Sequence, residues 1–89
     1  MKKRILAFNV NYVGENKCLI PTGAKVLSVI LKNDIVTLYV LADTENGLEE
    51  RTFVNHITED IVDFSDGNEH KFIGSYSQGG MVYHLFELI

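Results

Sequence analysis

The sequence predicts an all-β chain. Its apolar segments are short, rich in Val, Ile, Leu, Tyr and Phe, and separated by turn residues, which is how strands read. No window sustains helical periodicity over about ten residues. The 89 residues form one β domain spanning residues 1–89. Size scaling gives roughly 14,600 Å² of surface unfolded and roughly 5,300 Å² folded, enough for one modest core.

The first strand runs from Arg4 to Val13. It places Leu6, Phe8, Val10 and Tyr12 on one face and Asn9 and Asn11 on the other, by the two-residue strand period. Gly14-Glu15-Asn16 turns the chain into a short strand from Lys17 to Ile20. Pro21-Thr22-Gly23 ends it, because proline donates no ladder bond. Strands Lys25–Lys32 and Ile35–Ala42 flank Asn33-Asp34, a two-residue hairpin signal. Asp43 to Leu48 is a loop, and Glu49–Ile57 the next strand. Thr58 is placed to cap at most one short helical turn near residues 58–64, stopped by Ser65-Asp66-Gly67-Asn68. Lys71–Ser77 and Met81–Leu88 form a last hairpin around Gly79-Gly80, where glycine supplies the positive φ that a type I′ turn needs. The expected assembly is an antiparallel sheet in meander order, curled into a small barrel or a two-layer sandwich.

The central strands are apolar on both faces. In Ile35–Ala42 one face shows Val36, Leu38, Val40 and Ala42, the other Ile35, Thr37, Tyr39 and Leu41. A sheet with one solvated face alternates cleanly. No amphipathic helix is available to cover the second face, so a homo-oligomer is expected.

Composition excludes several classes. No run of about 18 apolar residues exists, so no membrane span is expected. Lys2-Lys3-Arg4 opens like a signal peptide, but Asn9, Asn11 and Glu15 interrupt the apolar stretch, and export is not expected. Cys18 is the single cysteine, which rules out an internal disulfide and reads as a small apolar strand residue. Residues 1–33 hold six basic residues against Glu15, and residues 34–89 hold eleven acids against Arg51 and Lys71, giving +5 and −9. One small domain must therefore carry a polarised surface. The acidic remainder disfavours nucleic acid, although Lys2, Lys3, Arg4 and Lys17 beside Phe8 and Tyr12 keep a small-barrel nucleic-acid binder as a minor alternative.

No catalytic motif stands out: there is no Gly-rich phosphate loop, no nucleophile elbow and no EF-hand spacing. His56, His70 and His84 fall fourteen residues apart, which is no known ligand spacing. The expectation is a non-enzymatic protein with no metal and no cofactor. For a small phosphorylated ligand, the cationic and aromatic candidates are Arg51, Lys71, Tyr39, Tyr76 and His84. For a protein partner, the candidates are the acids Glu49, Glu50, Asp60 and Asp63.

Several segments resemble small accessory proteins of tailed phages. They are Pro21-Thr22-Gly23-Ala24-Lys25-Val26-Leu27-Ser28-Val29, Leu38-Tyr39-Val40-Leu41-Ala42-Asp43, Arg51-Thr52-Phe53, Phe72-Ile73-Gly74-Ser75 and Gly79-Gly80-Met81-Val82-Tyr83-His84-Leu85-Phe86-Glu87. Those proteins often carry a tryptophan near the start and another in the third main strand, where this chain has Phe8 and Tyr39. They have no assigned activity. The resemblance implies action in the cytoplasm of an infected bacterial host. It implies a binding protein that counters host defence, most concretely by sequestering a small signalling nucleotide in a pocket between protomers. The alternative is inhibition of a host or defence protein through the acidic loops.

Overall fold

A computed structural model describes residues 2–89. Seven strands form: β1 (Arg4–Val10), β2 (Glu15–Pro21), β3 (Lys25–Lys32), β4 (Ile35–Ala42), β5 (Leu48–Ile57), β6 (His70–Gln78) and β7 (Met81–Leu88). They make two antiparallel sheets, β1-β4-β3 (sheet A) and β2-β5-β7-β6 (sheet B). The fold is all-β. The sheets do not close into a barrel and stack as a two-layer sandwich.

Two hairpins fall where the turn chemistry puts them. Asn33 and Asp34 sit at φ 50° and 63°, and Gly79 and Gly80 at 59° and 79°. Positive φ at both central positions makes the primed turn whose twist matches the strands it joins.

The strand order is not a meander. β1 pairs with β4, and β2 with β5. The chain changes sheet at β1–β2, β2–β3 and β4–β5, so both layers contribute apolar residues from distant parts of the sequence. β1 accordingly ends at Val10, and the chain turns at Asn11 instead of running on to Val13. No helical turn forms near residues 58–64; Asp60 N–H closes a tight turn onto the Ile57 carbonyl at 3.0 Å.

The core lies between the sheets. Val36, Leu38, Val40 and Ala42 of β4 face Ile20, Phe53 and Leu85 of sheet B, all almost fully buried. Cys18 packs against this core from β2, and burial pushes its thiol pKa up. A bulge between Phe72 and Gly74 frees Ile73 to join the core while Phe72 stays outside. At Gly74 a Cβ would lie 3.0 Å from Val29 Cγ1, so glycine lets edge strand β6 lie close against edge strand β3. The exposed surface is 5811 Å², above the roughly 5,300 Å² of a compact chain this size. The excess matches the flat body, 42 × 34 × 15 Å.

Phe53 is the largest fully buried side chain. Phe53→Ala is expected to cost about 3–5 kcal/mol, read as a lower urea midpoint at unchanged slope.

Candidate functional site

β5 and β6 both run antiparallel to β7, which lies between them, so they run parallel to each other. Ile57 ends β5 level with Tyr83, whereas His70 begins β6 level with Leu88. The chain must return along the sheet, and parallel neighbours cannot be joined by a tight turn. Residues 58–69 make this return across the outer face of sheet B. They touch outward side chains of all three strands. Asp60 Oδ2 lies 3.7 Å from His56 Nδ1 on β5, Thr58 Oγ1 lies 2.9 Å from His84 Nε2 on β7, and the Phe64 ring lies 4.5 Å from that of His70 on β6.

Aspartates shape this crossover. Asp63 accepts a hydrogen bond from Ser65 N–H at 2.8 Å, and Asp66 from Asn68 N–H at 2.9 Å. These backbone bonds hold both carboxyls below their usual pKa, so they stay charged. The crossover carries Glu59, Asp60, Asp63, Asp66 and Glu69 and no base. Among these acids it exposes Ile61 (93%) and Phe64 (61%). An exposed apolar pair on a segment of one charge sign can dock a protein surface of the opposite sign.

The chain belongs to the family described as a domain of unknown function (DUF7352), matched over residues 1–89. No curated protein and no solved structure matches it. Function must therefore be read from the residues themselves.

The five ligand candidates do not converge. Arg51 is bound: Nε and one terminal nitrogen donate to the Glu87 carboxylate at 2.6 and 2.8 Å, and the other terminal nitrogen to the Ala24 carbonyl at 2.6 Å. Its first effect from Glu87 is a hydrogen bond that raises its pKa, so it stays cationic. Lys71 is exposed on β6, in register with Glu87 on β7. The Glu87 carboxylate already answers the charge of Arg51. Tyr76 is buried and donates to Asn55 Oδ1 at 2.9 Å. His84 lies on the outer face of sheet B between Ser75 Oγ (2.7 Å) and Thr58 Oγ1 (2.9 Å). Tyr39 lies on the outer face of sheet A.

The four acidic candidates split into two places. Glu49 and Glu50 follow Leu48 at the start of β5 and line a cleft of ≈ 440 Å³ with Arg51 and Glu87. Asp60 and Asp63 lie on the crossover, beyond the other end of β5. Basic residues proposed for nucleic acid each face acids. Lys2, Lys3 and Arg4 share a cleft of ≈ 530 Å³ with Asp43 and Glu45, and Lys17 Nζ lies 3.8 Å from Glu50. Among the described residues no three His, Cys, Asp or Glu side chains gather to hold a metal ion.

Sequence reasoning missed Ile61 and Phe64. The available signal was spacing: the segment between β5 and β6 is too long for a hairpin, which points to a crossover.

Two buried polar clusters pin the corners where the chain changes sheet. At one end Arg51 (side chain 16% exposed) and Glu87 (5%) hold the β2–β3 corner through Ala24. At the other, Asn55 Nδ2 donates to the Asn11 carbonyl at 2.7 Å and Asn16 Oδ1 accepts from Asn11 N–H at 2.8 Å. Glu87→Gln leaves Arg51 without its counter-charge and is expected to cost about 3–5 kcal/mol. The double variant Arg51→Met/Glu87→Leu is expected to recover most of that loss in urea unfolding.

Burial, with Tyr12 and Tyr83 adding to it, raises the Tyr76 pKa above that of a free phenol. A raised pKa favours the neutral form in the fold, so this stability is present below about pH 10 and is lost above it. In an ultraviolet titration Tyr76 is expected to ionise only above the free-phenol range, together with unfolding.

Proposed function

We propose that this chain is a non-enzymatic binding protein that engages a basic protein surface through its acidic crossover. The observation that carries the reading is the exposure of Ile61 and Phe64 among five acids on one strap. Exposed apolar side chains on a segment of one charge sign offer a surface that a partner of opposite charge can cover. In the phage setting that the sequence resemblance implies, the partner is a host or defence protein in the infected bacterial cytoplasm.

The sequestration of a signalling nucleotide draws on a different feature. Tyr39 lies on the outer face of sheet A, one row from Lys25 and opposite Ser28. An aromatic ring beside an ammonium can stack a base and pair its phosphate. Arg51, Tyr76 and His84, already bonded within the fold, support that reading less. Calorimetry against a panel of signalling nucleotides separates the two: heat of binding that Tyr39→Ala abolishes favours sequestration, and no heat with any nucleotide removes it.

The crossover reading is tested by affinity purification of the tagged chain from the bacterial host, beside the variant Ile61→Asp/Phe64→Asp. A basic partner is expected to be retained at least about tenfold less by the variant and to be eluted by salt. Equal retention by both proteins overturns it. Retention is also expected to decline as pH falls. The carboxyls of Asp63 and Asp66 have depressed pKa values in the fold. Their charge therefore persists below the ordinary range near pH 4 and is lost only as pH falls through the folded values.

A further inference from the structure

We infer that the outer face of sheet A is the docking site for the crossover of a second copy of this chain, so that copies associate head to tail. The inference rests on the reading of the crossover as a protein-contact surface, and it names a partner that the chain itself supplies.

The outer face of sheet A carries exposed isoleucines around a middle of Asn9, Ser28, Thr37 and Tyr39, with a lysine at each end of β3. Register places Ile5 opposite Leu41 and Ile30 opposite Thr37. Ile5, Ile30 and Ile35 are 65%, 46% and 48% exposed. Lys25 and Lys32 stand at the two ends of β3 on this same face, opposite Leu41 and Ile35. Lys2, Lys3 and Arg4 adjoin this face but share their cleft with Asp43 and Glu45, so its positive charge rests on Lys25 and Lys32. The crossover carries the exposed Ile61 and Phe64 on a segment with five acids and no base.

Charge decides the pairing mode. Two copies meeting through the same face would set Lys25 and Lys32 against like charges, and two crossovers would set acids against acids. The unlike pair removes both penalties. The two surfaces lie on the outer faces of opposite sheets of a body 15 Å thick. One copy can therefore use both at once, and the contact is heterologous. Three strands of this length present roughly 15 × 25 Å. That is below a standard interface, so the contact is weak, concentration-dependent and salt-sensitive.

The experiment is sedimentation of the full chain from low micromolar to near-millimolar concentration, at low and high salt. Two variants accompany it: Ile61→Asp/Phe64→Asp, which spoils the crossover, and Ile5→Asp/Ile30→Asp, which spoils the sheet face. Wild type is expected to gain mass with concentration and return to monomer in high salt. Each variant is expected to stay monomeric. An equimolar mixture of the two is expected to form a species of two chains and no larger, since one intact face meets one intact crossover and the remaining surfaces are spoiled.

A wild type that stays monomeric throughout overturns the inference. So does a crossover variant that associates as wild type does, or a mixture that stays monomeric. Circular dichroism and melting check that the variants fold. Ile61→Asp alone, at a residue 93% exposed, serves if the double variant melts. If wild type is monomeric while Ile61→Asp/Phe64→Asp still abolishes capture of a basic partner, this inference falls and the protein-contact reading stands. If that variant changes neither, both fall.

Discussion

The constraint on which the rest depends is the direction of β5 and β6. Each pairs antiparallel with a neighbour common to both, so they run parallel. A chain leaving Ile57 must travel back along β7 before it can enter β6 at His70. The inner side is filled by Phe53, Leu85 and the β4 side chains, so the return crosses the outer side. That single requirement creates the crossover and brings its acids over His56 and His70. It also takes Ile61 and Phe64 away from the core. A hairpin at this point would have left no strap and no exposed apolar pair.

A sandwich made by repeated sheet changes has a second requirement. Every corner leaves backbone groups outside the ladders, and such groups must be satisfied. This chain meets the need with buried polar side chains at both ends of the core. Arg51 answers the Ala24 carbonyl, and Asn16 and Asn55 answer Asn11. The cost is a charge taken out of water, offset because Glu87 gives Arg51 two short bonds. The same bonds make Arg51 a poor ligand for an added phosphate, which would have to displace a carboxylate already in place. A residue chosen for its chemistry in the sequence is here spent on architecture.

The local part of this fold was legible and the distant part was not. Asn33-Asp34 and Gly79-Gly80 announce their hairpins because a two-residue turn is determined by its own φ values. The apolar alternation of β4 tells which residues face inward, and Val36, Leu38, Val40 and Ala42 do. It does not tell which strand lies alongside. The pairings of β1 with β4 and of β2 with β5 are long-range, set by how two layers share a core, so a meander was the simpler expectation. The candidate site divides in the same way. Asp60 and Asp63 stand out as acids in a loop, whereas the exposure of Ile61 and Phe64 depends on the path of the crossover. Glu87 reads as an ordinary strand acid until Arg51 is found beside it.

Both outer faces show why apolar residues on a strand need not belong to the core. In sheet B the crossover covers part of the outer side: His70 is 5% exposed in its side chain and lies 3.7 Å from Asp66. In sheet A the outward Ile5, Ile30 and Ile35 stay largely exposed. The chain thus supplies a cover for one face and leaves the other open, with opposite charge on the two sides. Because the sheets are stacked, these surfaces point away from each other, so the crossover cannot fold back onto the open face of its own molecule. The complementarity between them can be satisfied only between molecules.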